Sequence, residues 1–141
     1  MKYKEYQVAK KINLVFLAVF YIIAGLNHFR DPTVYKALIP PYFRYHEELN
    51  IISGALEIAG GILMFFPNGR KAAAYLIISL LLAFIPAHIY LIQMSGCVSK
   101  NLCVAAWVAW VRLIPFQFIL IWWAWQTYRW SKPVKKAINY Q

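Results

Sequence analysis

Four apolar stretches, at about 12–29, 50–67, 72–93 and 103–127, decide what this chain can become. A helix needs about 17–25 apolar residues to cross the ~30 Å hydrocarbon core of a bilayer. The third and fourth stretches exceed that with room to spare, and the first two sit near the minimum. In hydrocarbon every backbone N–H and C=O must be satisfied within the chain, and a helix does this segment by segment. The expected class is therefore all-α: an integral membrane four-helix bundle, one transmembrane domain over 1–141. Composition agrees, at 62% hydrophobic and 14% charged, against about 45–50% and 25% in ordinary soluble domains. The first stretch has the length of a secretory signal. It lacks a small-x-small cleavage site and runs on into Asn27-His28-Phe29, so it reads as a retained helix.

A net charge of +10 could suggest nucleic acid, but the basic residues sit where lipid headgroups would be. Lys2, Lys4, Lys10 and Lys11 precede the first stretch, Arg70 and Lys71 separate the second from the third, and Arg129, Lys132, Lys135 and Lys136 follow the fourth. The opposite side carries Arg30, Lys36, Arg44 and Lys100, partly offset by Asp31, Glu47 and Glu48. By the positive-inside rule both termini face the cytoplasm. The expected partner is the lipid bilayer, anionic headgroups included, and not nucleic acid. Trp122, Trp123, Trp125, Tyr128 and Trp130 at the inner end of the fourth stretch, with Trp107 and Trp110 near its outer end, read as an aromatic belt. The tail 131–141 reads as a basic anchor.

Against this background two charges stand out: Glu57 in the second stretch and Arg112 in the fourth. A lone charge at bilayer depth costs about 2.5–3.5 kcal/mol on insertion scales, and intramembrane charges mark candidate functional sites. At 1.5 Å per residue, Glu57 lies roughly 10 Å below the outer end of its stretch at Asn50, Arg112 roughly 13 Å below Cys103, and His88 roughly 7 Å deep. Asn27 and His28 close the outer end of the first stretch. Asn50, Ser53, Glu57, Gly60 or Gly61, and Met64 follow a three-to-four spacing that puts polar and small residues on one helix face. Pro86 and Pro115 disturb the third and fourth helices beside His88 and Arg112. Two readings follow. In one, Glu57 and Arg112 form a structural ion pair that locks the second helix to the fourth. In the other, Glu57, Arg112, His88, His28 and Asn27 line a polar pocket that opens outward or to the outer leaflet and takes a polar headgroup. Three histidines, with His46 in a loop, do not make a metal site.

Two loops complete the outer side. RDPTVYKALIPPYFRYHEEL has Val34, Leu38 and Ile39 at near-helical spacing before Pro40-Pro41, and reads as a short amphipathic lid lying in the interface. SGCVSKN carries Cys97, with Cys103 just beyond it. On the oxidising side of a membrane these two cysteines are expected to form a disulfide. A redox-active pair feeding a quinone, or two free thiols, are the alternatives; the spacing is not C-x-x-C and there is no second pair to relay electrons.

Four segments in order, Ala24-Gly25-Leu26-Asn27-His28-Phe29, Ile39-Pro40-Pro41-Tyr42-Phe43, Ser53-Gly54-Ala55-Leu56-Glu57-Ile58-Ala59-Gly60-Gly61 and Pro86-Ala87-His88, resemble the DoxX family of small four-helix membrane proteins, over roughly 12–127. The resemblance implies a four-helix bundle in a bacterial inner membrane. It also implies association with quinone-linked redox complexes, with Asn27, His28, Glu57, His88 and Arg112 at the family's intramembrane polar positions. His88 departs from the pattern, where Asn would be expected after Pro-Ala. The expected function is then a membrane subunit of a redox or quinone-linked complex, with quinone as its candidate cofactor and redox subunits or further copies of the chain as partners. The alternative is a non-catalytic scaffold, or a lipid- or small-molecule-binding module. Transport is a third class, for which four helices would need to oligomerise into a pore.

Overall fold

The computed structural model describes residues 2–131, so the basic tail expected over 131–141, with Lys132, Lys135 and Lys136, lies beyond Ser131 outside the described residues. The elements run α1 (Lys2–Arg30), α2 (Pro32–Leu38), α3 (His46–Phe65), α4 (Arg70–Ala83) and α5 (Ile85–Gln93). A small antiparallel hairpin follows, β1 (Cys97–Ser99) with β2 (Leu102–Cys103), then α6 (Ala106–Val111), a π-helical turn (Arg112–Phe116) and α7 (Gln117–Ser131). Four spans are long and apolar enough to cross a membrane: Lys4–Arg30, His46–Phe65, Arg70–Gln93 and Ala106–Trp130.

Helix ends fall where local chemistry puts them. α1 starts well ahead of its apolar stretch, because the Lys, Glu, Gln and Ala residues there are good helix formers and nothing interrupts them. α3 begins at His46, four residues before the apolar run, with Glu47 and Glu48 in its first turn where the helix dipole favours anions. It stops at Phe65, just before Pro67. The Arg70–Gln93 span is interrupted at Phe84: Pro86 has no N–H to give the carbonyl four residues back, and α4 hands over to α5 at that point. Pro115 creates the same deficit in the last span, and there the backbone answers with a π-turn, whose i→i+5 bonding skips the missing donor.

One apolar core joins all four spans, through Leu17, Ala18 and Tyr21 of α1, Met64 of α3, Ala73, Ile77 and Leu81 of α4, and Leu120 and Ala124 of α7. The outer surface is apolar as well: Phe16 is 62% exposed, Phe118 68% and Ile119 52%. A continuous apolar exterior suits hydrocarbon and not water. Between helices already surrounded by lipid tails the driving force is close packing rather than water exclusion. Glycine supplies that at the α1–α3 seam. A Cβ on Gly25 would sit 2.5 Å from the Gly54 carbonyl, and one on Gly61 2.7 Å from that of Ala18. At the terminal end of the molecule Lys10 Nζ donates to the Trp130 carbonyl at 3.1 Å, tying the start of α1 to the end of α7.

Candidate functional site

A cavity of about 610 Å³ opens among α1, α2, α3, the α4–α5 break and the π-turn. Its walls are mostly apolar: Phe20, Leu38, Ile39, Phe43, Leu81, Phe84, Phe116 and Leu120 among them. Glu57, Arg112, His88 and His28 all line it, brought together from four different spans. Asn27 does not. Its side chain lies instead beside the Tyr35 hydroxyl on α2, one helical position away from the face that His28 presents to the cavity.

Glu57 and Arg112 do not form an ion pair. Among the described residues the Arg112 side chain makes no salt bridge and no hydrogen bond, although it lies close enough to His88 and Tyr35 to act on both electrostatically. The partner of Glu57 is His28, whose Nε2 stands 3.5 Å from Glu57 Oε2. That contact is a close approach and not a hydrogen bond, and Oε2 is left with no hydrogen-bond partner. Of the two readings open in the sequence, the ion pair locking the second helix to the fourth is therefore not formed. The reason is register: Gly25 and Gly54 bring α1 and α3 so close that His28 reaches Glu57 first. α3 itself starts at His46, so Glu57 lies roughly 16 Å along the helix axis from its first residue.

Asn50 orders the histidine. Its Nδ2 donates to the His28 carbonyl at 3.0 Å, and its Oδ1 lies 3.0 Å from His28 Nδ1. Asn50 is 2% exposed and Glu57 6%, so both sit deep in the seam. Tyr35 packs its ring on that of His28, with centroids 3.9 Å apart. Burial pushes the Tyr35 hydroxyl above its ordinary pKa, and the charge of Glu57 adds to this, so the group remains a neutral phenol. Tyr21 contributes a second hydroxyl; it is buried, lines the cavity and has no hydrogen-bond partner. Gln117, also in the wall, donates from Nε2 to the Leu81 carbonyl beside the α4–α5 break, and so caps one backbone acceptor in the region where Pro86 interrupts the ladder.

The cover is α2 and the loop after it. Asp31 caps α2, accepting from Val34 N at 3.4 Å and Thr33 Oγ1 at 2.7 Å. Lys36 pairs with Glu47 on the exposed side, and the His46 ring donates from Nε2 to the Pro40 carbonyl at 3.1 Å. α2 also rests on β1. There Cys97 and Cys103 are joined by a disulfide across a Cα–Cα distance of 4.1 Å, outside the cavity wall. Gly96 leads into this hairpin with φ +88°, where any side chain would run into the Val104 carbonyl. A smaller recess of about 250 Å³, lined by Asn13, Trp122, Trp123, Gln126 and Trp130 among others, carries no charged group. Among the described residues no three His, Cys, Asp or Glu side chains gather as a metal ion would need.

Tyr21, Tyr35 and Gln117 were not singled out from the sequence. Tyr21 had a signal, since 21, 24 and 28 share one helix face. Gln117 had none. It stands five positions after Arg112, well round a regular helix, and only the wider π-turn swings both into one cavity.

Comparison with curated proteins and with solved structures returned no match. Residues 17–128, which contain every cavity-lining side chain named above, match the family described as Domain of unknown function (DUF8561), and the chain belongs to that family.

Proposed function

We propose that this chain is a DoxX-like, multi-pass subunit of a redox or quinone-linked complex in a bacterial inner membrane, and that its cavity holds a quinone headgroup. In this reading the four spans form a four-helix bundle with both termini in the cytoplasm. The observation that carries it is the cavity of about 610 Å³, apolar over most of its wall, with a few polar groups from several helices converging in it. A quinone head is an apolar ring with two carbonyl acceptors, and asks for one or two donors in an otherwise apolar cleft. Arg112 and the unpartnered Tyr21 hydroxyl are such donors, and the Glu57–His28 pair is placed to hold a proton. Electrons for any turnover come from a partner subunit in this scheme. The test is titration of the purified protein in nanodiscs with a menaquinone analogue. Saturable binding that is lost in Glu57→Gln is expected; absence of measurable binding by the unaltered protein would overturn the reading.

A second reading, a non-catalytic scaffold or a lipid- or small-molecule-binding module, is favoured by one observation. The disulfide lies outside the cavity wall, so the redox-capable pair and the polar cavity are separate features. Co-purification of a stable partner without redox turnover supports this second reading, and turnover by a pure monomer excludes it.

A further inference from the structure

We infer that the cavity takes its occupant as a monoanion: a head bearing one negative charge on an apolar body, seated on Arg112. This rests on the reading of the cavity as a site for an amphipathic head and adds the charge of what enters it.

The argument is a charge count around the wall. Arg112 brings a guanidinium cation, lines the cavity, and its side chain has neither a salt bridge nor a hydrogen bond among the described residues. Glu57 is the one carboxylate among the cavity-lining residues, and its neighbours commit it elsewhere. The His28 carbonyl can only accept, so the end of Asn50 bonded to it must be the NH₂ group. Asn50 Oδ1 then faces His28 Nδ1, which must carry a hydrogen. This leaves Nε2 as the ring nitrogen nearest Glu57, 3.5 Å from Oε2. With no proton between them, a lone pair would face a buried carboxylate oxygen that has no donor at all. One proton therefore belongs to the pair, on Nε2 or on the carboxyl, and either placement makes the pair neutral.

The remaining polar groups do not change the count. Tyr21 from α1, Tyr35 from α2 and Gln117 from α7 are neutral, and His88 from α5, in the same apolar wall as the Arg112 cation, is counted as the neutral imidazole. The wall holds one uncompensated cation in an apolar setting. A neutral head leaves it uncompensated, and a doubly charged head overshoots. A single negative charge cancels it, and an oxyanion can also accept from the idle Tyr21 hydroxyl.

The test uses ligands matched except for charge, titrated by calorimetry into the full chain in zwitterionic nanodiscs. One pair is a 2-hydroxy-3-alkyl-1,4-naphthoquinone, ionised at neutral pH, against its 2-methyl counterpart. The other is dodecanoate against dodecanol. The anion of a pair should bind about ten- to a hundredfold more tightly, the range of a charge-assisted hydrogen bond. That advantage should shrink below about threefold in Arg112→Gln and survive in Arg112→Lys, with folding of each variant checked by its melting curve. Equal affinity within both pairs overturns the inference while leaving the quinone reading intact if both quinones bind. Preference for dodecanoate with no binding of either quinone upholds charge selection and removes the quinone. Failure of all four to bind overturns both.

Discussion

Replacing Asn50 by Ala should loosen the α1–α3 seam and change the state of His28 at the same time. The substitution deletes two buried bonds of 3.0 Å and leaves the His28 carbonyl and Nδ1–H without partners. In a soluble interior each orphaned group costs about 1–3 kcal/mol. Between membrane helices measured hydrogen bonds average about 0.6 and reach about 1.7 kcal/mol, because the separated helices also find partners. The membrane figure governs here, and two bonds give about 1–3 kcal/mol. The lower end applies if water from the cavity reaches the vacated site. Reversible unfolding in mixed micelles measures the loss, and nitrogen chemical shifts of ring-labelled histidine report the tautomer of His28. Asn50→Asp provides the contrast: it keeps an acceptor for Nδ1 but cannot donate to the His28 carbonyl. It should therefore hold the tautomer while losing part of the stability. A change below about 0.5 kcal/mol, the size of innocuous substitutions, together with an unaltered tautomer in Asn50→Ala, would refute the bonding scheme and with it the charge count built upon it.

Gly25→Ala should cost about 1–3 kcal/mol by overpacking, since the new methyl lands 2.5 Å from the Gly54 carbonyl; the same micelle assay measures it, and an unchanged midpoint would contradict the seam. Removing the disulfide as Cys97→Ser with Cys103→Ser should cost about 2 kcal/mol from the entropy of so short a ring, and hydrogen exchange should place the loss in the hairpin and in α2 resting on it. Tyr35 keeps its proton above the ordinary tyrosine value. Its contribution to stability is therefore full below that ordinary value and is lost as pH rises through the raised one. The alkaline absorbance of the parent minus that of Tyr35→Phe should show its tyrosinate appearing late.

Much of this could be read from residue order alone, and the rest fails for identifiable reasons. Apolar length located the four spans, and the three-to-four spacing of Asn50, Ser53 and Glu57 put those residues on one face. The start of α3 lies outside the apolar stretch because polar His46, Glu47 and Glu48 begin the helix, and hydropathy cannot see a helix that starts in polar residues. Glu57 and Arg112 invited pairing by sign and depth, but partner choice depends on interhelical register, which here follows from two glycines. Asn27 and His28 are adjacent in sequence and point different ways, as neighbours on a helix must. The position of Gln117 depends on a π-turn, and a proline in a helix announces a disturbance without saying which form it takes.

The two irregular spans give the cavity unequal sides. On one side α1 and α3 are pressed backbone to backbone through glycine, and parting them would cost the Asn50 bonds. On the other, the Phe84 break and the π-turn lie in the cavity wall, where proline has already removed helical bonds. Flexing there sacrifices fewer backbone bonds. A bulkier guest would accordingly be accommodated by the proline-bearing half, with the glycine half as its fixed wall, and size tolerance should respond to Pro86 and Pro115 more than to the α1 and α3 residues of the wall.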